Sequence, residues 1–230
     1  MYHAFGGDGE RASRYVLPAE RFTAQMRLLQ RLRFRVIGLD EHVARLRVGT
    51  VSPRTVVITI DDGYRDNHAI AYPILRRFGY PATVFMVSGR IGGVNDWDDE
   101  GELPGRSLLG RHELRELVAG GIAVGAHTRT HPSLPAVDAE TATAEIAGSK
   151  TELEAELGAA VDLFAYPYGR YDEQAVEAAR DAGFRAACTT KPGLSRPGGD
   201  SHLIERIEVR GDDSMARFVA GLLGWARSRP

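Results

Sequence analysis

Short apolar runs alternate with segments of helical period along this chain, and that alternation restricts the architecture more than any other feature. The runs lie near residues 2–5, 35–39, 56–60, 83–87, 122–126, 163–166, 184–190 and 203–209. They read as strands, because β-branched and aromatic side chains fit a pleated surface buried on both faces. Between them apolar residues recur at helical spacing, as Phe22, Met26, Leu29 and Leu32 do. Strand and helix repeating without a linker implies parallel strands covered by helices. Seven or eight such units suit an α/β fold closed as a single-domain, distorted (β/α) barrel. Residues 1–230 are read as that one domain.

The helices carry their own punctuation. One is expected from about residue 66 to 78, bent near Pro73 and stopped by Gly79. Asp40 is expected to cap a short helix reaching Leu46. Further helices are expected over 111–118, over 138–157 with Ile146, Leu153 and Leu157 in the core, over 173–182 and over 214–225. Residues 88–110 are different, being rich in glycine and acids and lacking any period. A loop of this length reads either as a surface insertion or as a segment covering a substrate. Trp97 stands there among Asp96, Asp98, Asp99 and Glu100.

Composition excludes several classes. A formal net charge of -2 gives no bias toward nucleic acid or anionic membrane. No apolar run approaches the roughly 18 residues of a membrane span. The single cysteine, Cys188, excludes an internal disulfide framework and reads as a core thiol. The first residues hold neither a basic segment nor an apolar signal core. They resemble the tail of a strand, as expected of a native chain that begins further upstream, and they leave the compartment open.

The chemistry concentrates where strands end. Val56-Val57-Ile58 leads into Thr59-Ile60-Asp61-Asp62-Gly63-Tyr64. Two adjacent carboxylates are costly there unless a cation compensates them. His127 and His131, four residues apart, follow another strand. A helical turn would place both imidazoles on one side. Pro167-Tyr168-Gly169 follows a third. In a β/α barrel these ends share one face, and that face hosts the active site. Two imidazoles and a carboxylate suit a divalent metal with positions left open. One aspartate would then bind the metal while the other acts as general base for a metal-held water. A backbone N–H near Tyr168 would meet the oxyanion. The reaction class is hydrolysis of an amide or ester. His42, His68, His112 and His202 read as surface or capping residues.

The three segments together resemble the polysaccharide deacetylases, the NodB-homology domains of carbohydrate esterase family 4, over about residues 2–209. Thr59-Ile60-Asp61-Asp62-Gly63-Tyr64 is similar to the family's first motif, which implies Asp61 as base and Asp62 as metal ligand. His127-Thr128-Arg129-Thr130-His131 is similar to the second, which supplies both histidine ligands. Tyr166-Pro167-Tyr168-Gly169 resembles the third, which walls the groove. The resemblance implies a NodB-like barrel, one divalent ion (zinc foremost, with cobalt, nickel, manganese or iron as alternatives) and an N-acetylated oligo- or polysaccharide substrate.

Three departures narrow it. Ala165 stands where the family has a base-orienting Arg, and the later Trp and Leu-x-His motifs are missing. The pattern looks like the circularly permuted branch acting on poly-β-1,6-N-acetylglucosamine, where an N-terminal Tyr-His, here Tyr2-His3, replaces the last motif. His3 is thereby the candidate general acid and Arg206 a candidate base-orienting residue. Tyr64, Pro167 and Tyr168 are candidate substrate or oxyanion contacts, and Trp97 a candidate substrate-loop residue. Hydrolysis of another linear or cyclic amide, or a catalytically inactive carbohydrate-binding relative, are the alternative readings.

Overall fold

A computed structural model describes residues 1–7, 9–50, 52–97 and 103–223. Nine short strands and seven α-helices follow one another among these residues. The central sheet is parallel, in the order β5 (Thr59–Ile60), β6 (Thr83–Met86), β7 (Ala123–Ala126), β8 (Leu163–Ala165) and β9 (Ala186–Cys188). Two further parallel pairs flank it: β1 (Ala4–Gly6) with β2 (Val16–Pro18), and β3 (Arg35–Ile37) with β4 (Thr55–Val57).

The sheet curls because both its edges are bridged by irregular chain. At the β9 edge Ile204 N donates to Ala187 O at 3.0 Å and Thr189 N to Ile204 O at 2.9 Å. Val209 N then donates to Met1 O, and Met1 N to Ile207 O, at 2.9 Å each. At the β5 edge Tyr2 N donates to Thr59 O and Asp61 N to Tyr2 O, again at 2.9 Å. The N-terminal residues therefore sit between the last strand-like segment and β5, and the ring is a distorted barrel. Edge groups that would otherwise lose water without a partner are paired in this way.

Strand side chains alternate between two apolar layers, as a pleat requires. Val84 and Met86, Phe164 and Tyr166, and Ala187 face the helical layer. Phe85, Leu163, Ala165, Ala186 and Cys188 face a smaller inner cluster, joined by Leu39 and Val43. Those last two lie on α2 (Leu39–Arg47). Gly125 has no side chain because a Cβ there would come 2.5 Å from the Phe85 ring. Burial also pushes the Cys188 thiol up to about 11, consistent with a core role. Each large side chain so buried contributes roughly 1.5–3 kcal/mol of transfer free energy.

Several elements differ from the sequence reading. The run at 55–60 is two strands: β4 pairs with β3, and after Ile58 β5 pairs with β6. β2 has only three residues, too few for a period to register. The helix after the aspartates opens as a π-turn over Asn67–Ala71 before α3 (Tyr72–Phe78), and Gly79, at φ 66°, ends it. Gly38, not Asp40, caps α2, and Asp40 sits in its first turn. His42 is buried rather than at the surface. Residues 203–209 bond as a strand only intermittently. The described part of 88–110 folds back on itself through a Val94–Ser107 bridge and is tied to the chain after β5 by a Tyr64–Leu108 bridge, with Leu103, Leu108 and Leu109 in the core. Asp98, Asp99 and Glu100 lie outside the described residues. The last helix is α7 (Met215–Leu222), as expected from about 214, and positions 224–225 of that expectation lie outside the described residues. Among the described residues no helix is long and apolar enough to cross a membrane.

Candidate active site

Parallel strands put all their carboxyl ends on one edge, and three turns there supply the polar groups. Asp61 and Asp62 follow β5, His127 follows β7, and Pro167–Gly169 comes just after β8. The turns are tight enough to force four non-glycine residues into left-handed backbone: Asp62 (φ 74°), Thr128 (φ 63°), His131 (φ 63°) and Tyr168 (φ 57°). Such conformations are costly for side-chain-bearing residues and cluster at functional sites. Gly63 continues the first turn at φ 75°, where a Cβ would collide with Met86 Sδ.

The two aspartates, adjacent in sequence, have opposite surroundings. Asp61 is 2% exposed. Arg206 forks onto it, with Nη1 and Nη2 each 2.7 Å from a carboxylate oxygen. The same guanidinium donates from Nε to Thr189 O at 2.8 Å and from Nη1 to Thr59 Oγ1 at 3.2 Å. Burial works to raise the Asp61 carboxyl, but Arg206 outweighs it and holds the group below the usual carboxylate range.

Asp62 turns to the histidines. Its Oδ1 lies 3.4 Å from both His127 Nε2 and His131 Nε2. Burial opposes ionisation here too, yet contacts with His127 and His131 hold the carboxyl well below its ordinary value. Ala165 O accepts from His127 Nδ1 at 2.7 Å, which fixes the tautomer and leaves the Nε2 lone pair facing Asp62. Burial lowers the His131 imidazole, favouring its neutral form. One ligand atom from each of Asp62, His127 and His131 falls within 4.8 Å of the others, and all three residues are buried. An anionic carboxylate facing two imidazole lone pairs is the donor set of a divalent cation. The residues present fit the group.

The histidines do not share a helical turn, contrary to the reading from their spacing. Residues 127–131 form an irregular loop. Thr128 Oγ1 donates to His127 O at 2.6 Å and accepts from His131 N at 3.0 Å. A short hydroxyl side chain thus ties the two histidines together where helical bonds are absent.

Aromatic rings close the outer side. Trp97 stacks on His131 at 4.8 Å between centroids, and Tyr168 meets it edge-on at 4.6 Å. Tyr168 is 45% exposed, while Pro167 beneath it is buried. Tyr64 is not at this surface: it is 2% exposed in the core, and its hydroxyl accepts from Asn95 Nδ2 at 2.9 Å. His3 lies half-buried just before β1, edge-on to Tyr15 at 5.0 Å. It is close enough for its charge to favour ionisation of both Asp61 and Asp62. Asn67 Nδ2 holds the His3 carbonyl at 2.9 Å. His202 is remote from these groups, with its Nε2 at 2.9 Å from Phe184 O. Sequence reasoning missed the Ala165 carbonyl, because backbone groups carry no residue-type signal. It also missed Glu145, whose carboxylate accepts from Arg129 N and Thr130 N at 2.8 Å each.

The chain matches the model of the polysaccharide deacetylase family over residues 48–187. It is 28% identical over 221 residues to YxkH of Bacillus subtilis, a protein named for the same family, with 96% of this chain and 74% of that protein covered. It is 22% identical over 225 residues to the poly-beta-1,6-N-acetyl-D-glucosamine N-deacetylase of Staphylococcus aureus, with 94% of this chain and 74% of the relative covered. The solved structure of the Streptococcus pyogenes deacetylase PplD in complex with acetate has the same fold, with a TM-score of 0.81 at 21% identity over 96% of both chains.

Proposed function

This chain belongs to the polysaccharide deacetylase family, and from that membership we propose that it removes N-acetyl groups from a poly-N-acetylglucosamine-like polymer or glycoconjugate. The observation that carries the reading is the division between the aspartates. Asp62 shares a donor set with His127 and His131, while Asp61 stays outside it, held by Arg206. A binding module has no use for an ionised carboxylate kept apart from the ion site. A hydrolase does, as the base for an attacking water.

Asp62, His127 and His131 would hold one divalent ion, for which the nitrogen and oxygen donors suit zinc, with cobalt, nickel, manganese or iron as alternatives. When bound, that ion supplies Lewis-acid polarisation of the acetyl carbonyl and lowers the pKa of water. Asp61 takes the proton of the attacking water, and Arg206 keeps it ionised and aimed for that task. The Tyr168 N–H, presented by a left-handed turn, is directed to the developing oxyanion. His3 gives the leaving amine its proton. Trp97 and Tyr168 form an aromatic rim on which the apolar face of a sugar rests.

The test is acetate release from β-1,6- and β-1,4-linked N-acetylglucosamine oligomers, using protein stripped of metal and then reloaded with zinc. Zinc-dependent release, greater from the β-1,6 series, is expected. Zinc-loaded protein that frees no acetate from either series overturns the reading.

A further inference from the structure

We propose that Glu145 is a positioning residue for the metal-ligand loop, so that affinity for the ion is set in part by a helix that contributes no ligand. This rests on the reading of Asp62, His127 and His131 as the metal site. The loop at 127–131 has neither helix nor strand bonds of its own, and two of its residues are left-handed. Its N–H groups still need acceptors. Glu145, on α5 (Ala139–Leu157) and 8% exposed, provides them. Its Oε2 accepts from Arg129 N and from Thr130 N at 2.8 Å each, and its Oε1 accepts from Thr130 Oγ1 at 2.7 Å. Those two residues lie between the histidine ligands.

The same face of α5 continues the support. Gly148 is three residues on, and a Cβ there would come 2.6 Å from Arg129 Cδ, so the glycine admits the Arg129 stem against the helix. Glu152, another turn along, accepts from Arg129 Nε at 2.7 Å and from Ser88 Oγ at 2.5 Å. Positions i, i+3 and i+7 share one helix face, and here that face is given to the loop. Glu145 acts mainly through His131. The His127 ring is fixed by its bond to Ala165 O. Among the described residues His131 Nδ1 has no such partner. The placement of His131 therefore depends on where its backbone is held. Outer partners of this kind typically change metal affinity 10- to 100-fold.

Zinc affinity is measured by chelator competition on Glu145→Ala, Glu145→Asp and Glu145→Gln, at a temperature where circular dichroism shows each variant folded. Glu145→Ala should lose roughly 10- to 100-fold in affinity and alter the visible spectrum of the cobalt-substituted protein. Glu145→Asp, which keeps the charge but withdraws it by one methylene, should also lose affinity. Glu145→Gln, whose amide oxygen can accept the same two N–H bonds, should restore most of it. Wild-type affinity and cobalt spectrum in Glu145→Ala overturn the proposal, and Glu145→Asp decides it if the alanine variant does not fold. If the wild-type protein itself binds no zinc, the metal reading fails and takes this inference with it. Metal binding that ignores Glu145 sinks the inference alone.

Discussion

Arg206 and Asp61 are 145 residues apart in sequence and meet inside the barrel in a two-pronged ion pair, with both N···O distances 2.7 Å. Neither partner is more than 7% exposed. Breaking such a pair leaves a charge buried and alone, which costs about 3–5 kcal/mol. Arg206→Met should therefore destabilise the fold by about that amount in urea denaturation. It should also raise the Asp61 carboxyl, because burial then acts without opposition. Since Asp61 must be ionised to work as a base, the acid limb of the pH–rate profile should move to higher pH. The linkage has a definite sign. A carboxyl depressed in the folded state adds stability above its unfolded value near 4, and this is lost as pH falls through the lower folded value. The wild-type protein should thus shed this contribution as pH falls below about 4, and an unmoved acid limb in the variant would remove the orienting role.

The aspartates should separate by readout. Asp61→Asn is expected to cut turnover by roughly 10²–10⁴-fold while zinc content stays near one per chain. Asp62→Asn, His127→Ala and His131→Ala should each lose tight metal binding first. Zinc at 1,000 times its dissociation constant should stabilise the wild-type fold by about 4 kcal/mol, raising Tm, and a chelator should reverse this. Metal content lost with Asp61→Asn but kept with Asp62→Asn would reverse the two roles.

His3→Ala tests the proton donor. The expected outcome is a fall in kcat of roughly 10²–10⁴-fold, unchanged zinc content and loss of the alkaline limb of the pH–rate profile. Near-normal turnover would make His3 a packing partner of Tyr15 and nothing more.

Trp97→Ala should raise KM for oligomers more than for a single N-acetylated sugar, by roughly 2- to 13-fold for a stacking contact of about 0.5–1.5 kcal/mol. Equal KM values for long oligomers in both proteins would leave Trp97 a packing role beside His131.

Much of this protein is legible in its residue order. The alternation of apolar runs and helical periods, Gly79 ending a helix and Asp138 capping α5 are local effects, set by φ/ψ preference and side-chain capping within a few residues. So is the placing of Asp61, Asp62, His127 and Tyr168 at strand ends, since a polar cluster after a buried run has little choice but to emerge at the sheet's edge.

What tertiary structure alone decided are relationships between groups with no sequence period linking them. The four-residue spacing of His127 and His131 suits a helix, yet Glu145 and the Thr128 hydroxyl give the loop's N–H groups partners that a helix would have supplied. Tyr64 follows Asp61 and Asp62 closely in sequence but lies in the core, where Asn95 Nδ2 donates to its hydroxyl. Arg206 stands out in sequence only as a substitute for the missing orienting Arg, and it is long-range packing that brings its guanidinium to Asp61. Local sequence fixes which groups a turn presents; long-range packing, through the burial that makes an unpaired charge or N–H costly, selects the partner each one finds.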